Sequence, residues 1–438
     1  MKILVVGSGA REHVIAKKLS ENADVYTYMG RKNPGLRDVS VDYMVNDESD
    51  FDAIVKFAKD MEVDIAFIGP EAPLEMGIVD TLKAEGIESV GPVKSAAQIE
   101  TNKAFMRELF ETYDIPGSIK YGTFYDLDDA YAFIDDFNEP VVIKPIGLTG
   151  GKGVKIVGDQ LKDNEEAKEY VKEIFDQKMG GFSGVVIEEL LIGEEYTIQA
   201  FVDGKNLVPM PAAQDHPHAF EGNKGPITGG MGSYTDTGAL LPFLTQEEYD
   251  QSVEIMQKTI DAIAQQEEPY KGILYGQFMI TKDGPKVIEY NARFGDPESM
   301  NVLSLLDDDL SKIAQQIVDG TLEDVKFMDK ASVCKYVVPD NYPATKAADT
   351  IVEVDSDAIA QKDADLFYAA VYADENDDVK LTSSRAMAVL AIRDTIDEAE
   401  AACEEAIGFI DGEVYHRSDV ATKALLDEKM EHMKNVRG

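Results

Sequence analysis

Residues 141–157 read Val-Val-Ile-Lys-Pro-Ile-Gly-Leu-Thr-Gly-Gly-Lys-Gly-Val-Lys-Ile-Val. The apolar runs at 141–143 and 154–157 predict two strands that pair as a hairpin, with Gly147, Gly150, Gly151 and Gly153 between them. Glycines allow positive φ and let several N–H groups point into one concavity, which suits a phosphate. Lys144 and Lys152 add cations on either side. A P-loop is excluded. That motif needs Gly where Ile146 stands and Ser or Thr where Gly153 stands, and it continues into a helix rather than a strand. The stretch reads as a flexible phosphate-covering loop on a β-hairpin; the plainer alternative is an ordinary glycine-rich turn.

The chain has 438 residues, enough for roughly two to four domains. No run approaches the ~18 apolar residues of a membrane span, and the opening MKILVVGSGA reads as a strand rather than a signal peptide. Cys334 and Cys403 form neither a metal spacing nor a disulfide framework, so a reducing cytoplasm is expected. With 83 acidic against 42 basic residues the net charge is −41. Nucleic acid and anionic lipid both need clustered cations, so neither is an expected partner. A protein this acidic must gather its few cations locally to handle phosphates. That singles out Lys103, Lys144, Lys152 and Arg293.

Taken in order, residues 1–104 alternate strand and helix and predict a doubly wound parallel-sheet domain. Its first turn, Gly7-Ser8-Gly9-Ala10-Arg11-Glu12, lacks the third glycine of a dinucleotide fingerprint, and the second strand ends in Gly30-Arg31 without an acid for a ribose. A nicotinamide enzyme is therefore disfavoured, although a helix N-terminus beside Arg11 suits a phosphate. Ser95–Gln98 reads as a capping box opening the helix that carries Lys103.

Residues 105–192 predict a small α+β unit carrying the glycine hairpin, a natural lid. Its last strand runs into Glu188-Glu189-Leu190-Leu191-Ile192-Gly193-Glu194-Glu195, either a polar turn or a hinge for a base and a ribose. Residues 193–327 form the next unit. Within it, 213–240 reads as a long irregular glycine-rich loop with His216 and His218 in turns. The strand ending Glu289-Tyr290-Asn291 places Glu289 and Asn291 on one face, and Gln277 on the neighbouring strand could join them. Hard oxygen donors grouped this way suit Mg²⁺, and Arg293 on the same side could meet a terminal phosphate. Residues 328–438 predict a small closing α+β domain.

These pieces resemble the ATP-grasp superfamily and, within it, the glycinamide ribonucleotide synthetase family. The resemblance rests on Gly7–His13, Gly69–Leu74, Lys103–Phe105, Gly150–Val154, Glu188–Glu195, Gln214–His216, Thr228–Gly232 and Asn291–Glu298, in family order. Three positions depart from the family: Ala10 for a common glycine, Pro145-Ile146 for Ala-Asp, and Asn341-Tyr342-Pro343 for a Gly-Tyr-Pro turn.

The resemblance implies ligation of glycine to 5-phosphoribosylamine through glycyl phosphate, with ATP and Mg²⁺ or Mn²⁺, by a cytoplasmic monomer of purine biosynthesis. It implies Lys103, Lys144, Gly150, Gly151, Lys152 and Gly153 on the phosphates of ATP. Glu188 and backbone near Leu190 and Leu191 would hold adenine, and Glu195 the ribose. Gln277, Glu289 and Asn291 would hold the metal. Gly9, Arg11 and Glu12 would take phosphoribosylamine, and Asp215, Gly229 and Gly230 would lie near glycine. Arg293 and Lys152 would serve catalysis, with Arg293 also on substrate. Another ATP-grasp carboxylate–amine ligase, a non-catalytic nucleotide-binding regulator and a dinucleotide oxidoreductase are the alternatives.

Overall fold

The computed structural model describes residues 1–137, 139–150, 153–343 and 349–438. The N-terminal sheet is fully parallel, in the order Asp42–Val45, Asp24–Met29, Lys2–Val6, Ile65–Ile68 and Glu88–Val90. Its central strand buries Ile3 and Val5 toward one core and Leu4 and Val6 toward another. Covering both faces is what a parallel sheet requires, and it explains the uninterrupted apolar run in the sequence.

Two antiparallel sheets follow. The first contains Tyr121–Phe124, Val185–Glu189, Val141–Pro145 and Lys155–Ile156. Val142 opposes Ile156 and Ile143 opposes Lys155, so the expected hairpin forms. This unit has its own core, built on Ala130, Ile134, Ile143, Val171, Ile174 and Ile187. The second sheet contains Leu207–Pro209, Glu194–Asp203, Lys271–Thr281 and Gly284–Asn291.

The C-terminal sheet differs from the expected partition. Gln214–Asp215 and Gly232–Thr235 join Ala331–Pro339, Met387–Arg393 and Ala364–Tyr368 in one sheet. The segment expected to be an irregular loop therefore contributes strands, and the sheet crosses the boundary expected at 327/328. His216 is no turn histidine either, being fully buried beside Tyr234 with ring centroids 5.9 Å apart. The sequence is rich in glycine here because backbones approach closely; a Cβ on Gly232 would sit 2.5 Å from the Cys334 carbonyl oxygen.

The capping-box expectation at Ser95–Gln98 is also corrected. The helix Lys103–Thr112 opens at Asn102, whose side chain accepts from the Phe105 N–H. Gln98 instead donates to the Ser95 carbonyl at 3.1 Å. Both cysteines are buried and free. Among the described residues no helix is long and apolar enough to cross a membrane.

Candidate active site

The site grows from the strand pair Lys271–Thr281 and Gly284–Asn291. Gln277 pairs with Glu289 and Tyr275 with Asn291, and a bulge lies between Gln277 and Phe278. Three oxygen-bearing side chains thus share one sheet face. The bulge is held by Arg107, which donates to the Val287 and Ile288 carbonyls, each at 3.0 Å, and to Glu188 at 2.7 Å. Arg107 is fully buried and was missed in the sequence; nothing in a Lys-Ala-Phe-Met-Arg helix marks its fifth residue for such a role.

The cations come from the other wall. Lys144 pairs with Glu188 at 2.7 Å. Burial opposes ionisation of Glu188, but Arg107 and Lys144 outweigh it and hold the carboxyl down to about 2. Both its oxygens are engaged with cations, so this side chain anchors Lys144 rather than pointing freely at a base. Lys103 donates to the Gly147 carbonyl at 3.3 Å. Burial and then neighbouring Lys144 push its pKa down, while Glu289, Glu188 and Glu100 pull the other way. Arg107 joins the Lys144–Glu188 pair to the Ile288 carbonyl beside Glu289, so these cations and the Glu289 strand belong to one bonded network.

Within the loop, Gly150 has φ +59° and open space where a Cβ would stand. Gly153 accepts the Tyr170 hydroxyl on its carbonyl at 2.8 Å. Gly147 is glycine for packing: a Cβ there would lie 2.0 Å from the Gly180 carbonyl oxygen. Gly151 and Lys152 lie outside the described residues.

Just after the strand Val185–Glu189, the Leu190 N–H donates to the Pro140 carbonyl at 3.2 Å, with Leu191 next in the chain. Glu195 accepts from the Gln277 amide at 2.9 Å, and burial raises its pKa. Gln277 thus spends one amide N–H on Glu195. Neighbouring Glu194 is held by Lys429 at 3.1 Å and His432 at 2.6 Å of the C-terminal helix Lys423–Arg437, an element absent from the sequence reading.

Arg293 lies just past the end of the strand Gly284–Asn291. It reaches Asn291 Oδ1, Glu71 and Glu100, each at 3.2 Å. Burial raises the Glu100 carboxyl to about 7, partly offset by Arg293. Glu71 goes the opposite way, to about 2, because Arg293 and Arg11 outweigh its burial. Arg11 in turn pairs with Glu12 at 2.6 Å and lies 3.7 Å from Glu71.

At the start of the helix Ala10–Ser20, the Glu12 carboxylate accepts the N–H of the preceding Gly9 at 2.6 Å. Asp215 is half-buried, and its pKa is raised, first by desolvation and then by the Glu298 carboxylate. Tyr275 donates to Glu298 at 2.8 Å. Gln199 accepts the Gly295 N–H at 2.7 Å, while its amide nitrogen is buried without a partner.

Gly229 and Gly230 are gripped by Arg385 of the C-terminal domain, which donates to their carbonyls at 2.6 and 3.0 Å. Sequence reasoning missed Arg385, because these two glycines lie 156 and 155 residues upstream.

Among the described residues no group of three or more His, Cys, Asp or Glu side chains forms a metal cage. The Glu289, Asn291 and Gln277 set is one carboxylate and two amide oxygens, which fits a hard divalent cation that takes most of its shell from phosphate and water.

A parallel-sheet domain, a small unit carrying a glycine hairpin and an oxygen-donor strand tied through Arg107 to the Lys144–Glu188 pair define an ATP-grasp ligase. The family models for phosphoribosylglycinamide synthetase match along the chain: its N domain at 1–100, its ATP-grasp (A) domain at 101–299 and its C domain at 332–423. The chain belongs to the phosphoribosylglycinamide synthetase family, carbon–nitrogen ligases of purine biosynthesis.

It is 76% identical over 437 residues to phosphoribosylamine–glycine ligase of Methanosphaera stadtmanae and 60% identical over 436 residues to that of Methanobrevibacter smithii, covering 100% of both chains in each case. A crystal structure of phosphoribosylamine–glycine ligase from Thermotoga maritima shares the fold, with a TM-score of 0.81 at 23% identity over 96% of this chain and 100% of that one. So does a biotin carboxylase domain from Hydrogenobacter thermophilus, with a TM-score of 0.74 at 15% identity over 99% and 97%.

Proposed function

We propose that this protein, as a cytoplasmic monomer, ligates glycine to 5-phosphoribosylamine, giving glycinamide ribonucleotide, ADP and phosphate. The observation that carries the reading is the network joining cations to the oxygen-donor strand: Arg107 bonds Glu188, which pairs with Lys144, and the Ile288 carbonyl beside Glu289, while Lys103 bonds the Gly147 carbonyl three residues after Lys144.

The chemistry explains the need for such an arrangement. A carboxylate brought to ~4 Å from a phosphate faces repulsion of roughly 4 kcal/mol per charge pair at an effective dielectric of about 20. Lys103 and Lys144 would bind the phosphates of ATP, with Gly150, Gly151, Lys152 and Gly153 closing over them. Glu188 would hold Lys144 in position and present the hinge, where backbone near Leu190 and Leu191 meets adenine. Glu195, steadied by Gln277, would hold the ribose. Glu289, Asn291 and the Gln277 oxygen would hold Mg²⁺ or Mn²⁺, which when bound supplies charge neutralisation at the phosphates.

Arg293 would orient the glycine carboxylate and stabilise the phosphoryl group as it transfers. The carboxylate oxygen attacks the γ-phosphorus and ADP leaves. The amine of phosphoribosylamine then attacks the acyl carbon, and phosphate leaves. Asp215, Gly229 and Gly230 would form the glycine seat. Gly9 and Arg11 would seat phosphoribosylamine, with Glu12 fixing both. No side-chain nucleophile is required.

The test is ADP release by purified protein. It is expected only when glycine, phosphoribosylamine and a divalent metal are all present. Release with a different acid–amine pair, and none with this one, would refute the reading.

A further inference from the structure

The C-terminal domain meets the Gly229–Gly230 turn through one densely bonded side chain. The Arg385 guanidinium donates to the Gly229, Gly230 and Asp296 carbonyls at 2.6, 3.0 and 2.9 Å, and to the Asp296 carboxylate at 3.0 Å. Its carbon lies 4.5 Å over the Tyr336 ring, and the Tyr336 hydroxyl bonds to the other Asp296 oxygen. Asp296 stands three residues after Arg293. One planar cation therefore binds the glycine-rich turn to the turn that follows the strand Gly284–Asn291. Gly229 fits closely against it, since a Cβ there would lie 2.9 Å from the guanidinium.

This degree of bonding has no evident use in holding the domain alone. The C-terminal sheet already incorporates Gly232–Thr235, which pairs with Ala331–Pro339 over a continuous register. What Arg385 adds is the separation between Gly229–Gly230 and Asp296. Lysine cannot reproduce it, because an ammonium lacks the rigid fork that meets carbonyls and a carboxylate in one plane.

We propose that Arg385, braced by Asp296 and Tyr336, is a positioning residue for the amino-acid substrate, setting the Gly229–Gly230 turn against the Arg293 turn. The inference rests on the reading that this turn seats glycine. Arg385 acts through the backbone and touches no reacting atom.

The experiment compares wild type, Arg385→Lys and Tyr336→Phe in steady-state assays that vary glycine and ATP separately, with thermal unfolding of each. Misplacing a substrate by about 1 Å costs on the order of a hundredfold in rate. Arg385→Lys is accordingly expected to lower kcat/KM for glycine by about that factor, with KM for ATP within about twofold of wild type. Tyr336→Phe, which leaves the guanidinium bonds in place, is expected to shift the same parameter in the same direction by a smaller factor. Two outcomes overturn the proposal: unchanged glycine kinetics in Arg385→Lys, or glycine and ATP parameters falling together with the unfolding temperature, which marks a purely structural role. Wild type that does not respond to glycine at all would instead sink the underlying reading.

Discussion

Gln277 and Glu289 face each other across the strand pair that ends at Asn291, and Gln277 also donates to Glu195 at 2.9 Å. One amide thus links the side chain proposed for the ribose to the edge proposed for the metal. Glu289 is the only carboxylate of that set. Replacing it by Ala removes the charge without breaching the core, because the residue is only half-buried. Turnover is expected to fall by at least about a hundredfold, the scale of losing one main electrostatic stabiliser, while the unfolding temperature stays near wild type. ADP-release kinetics with metal titration measure this, and wild-type activity in the variant would remove the metal assignment.

Glu188 makes the strongest stability prediction. Its folded pKa of about 2 lies below the ordinary 4.5, so between these values the unfolded chain binds more protons than the folded one. The stabilisation is complete above 4.5 and is lost as pH falls through about 2. Glu188→Gln leaves Arg107 and Lys144 buried without a counter-charge and is expected to cost roughly 3 kcal/mol at pH 7. Urea unfolding of both proteins from pH 7 to pH 3 should show the difference shrinking toward the acid end. A constant difference would mean that the ion pairs are not its origin.

Lys103 predicts an opposite balance. Its pKa is lowered by burial, so the folded chain bears this cation at a cost. Lys103→Met is expected to leave the protein without ATP equally or more stable. The same variant should lose more than half of the thermal protection that saturating ATP gives, about 2.7 kcal/mol at a hundredfold excess over Kd for wild type. Differential scanning fluorimetry with and without ATP reads both quantities. Full protection in the variant would take Lys103 off the phosphates.

These residues show what was legible in the chain. Local chemistry was: the hairpin at 141–157, the alternation that puts Glu289 and Asn291 on one face, and the parallel N-terminal sheet all depend on short-range pattern. What escaped depends on long-range partners. Arg107 sits in an ordinary amphipathic helix, yet its guanidinium spans Glu188 and the bulge at Val287–Ile288. The Glu12 cap was hidden because a carboxylate three residues into a helix is common and reveals nothing of Arg11. Within 213–240, Gly232–Thr235 was read as loop because its partner, Ala331–Pro339, lies about a hundred residues further on, and the other strands are only two to four residues long.

The C-terminal helix gives a prediction of its own. Lys429 and His432 both bind Glu194, one residue before Glu195, and Arg437 binds Glu248. Lys429→Met is expected to cost about 1 kcal/mol in stability, the scale of a lost charged hydrogen bond on a partly buried pair. It should also raise KM for ATP by about threefold, because the hinge loses one of its two supports. Loss of stability with an unchanged KM would show that the helix braces the fold without reaching the nucleotide.

Two adjacent glycines should respond unequally to the same added methyl group. At Gly229 a Cβ meets only the end of Arg385, at 2.9 Å, a side chain that can shift. At Gly230 the backbone has φ +107°, which L-residues rarely adopt, and a Cβ meets the rigid Pro297 ring at 2.7 Å. Strain in such a region costs of order 1–3 kcal/mol before any clash is counted. Gly230→Ala is therefore expected to be less stable than Gly229→Ala by about 1–3 kcal/mol and to lower kcat/KM for glycine more steeply. The Gly229→Ala change would act chiefly by displacing the guanidinium, so its kinetic effect should disappear in an Arg385→Lys background, where that group is already gone. A double-mutant cycle measures the coupling. Simple additivity of the two changes would show that Gly229 and Arg385 act independently, and equal effects at the two glycines would contradict the backbone argument.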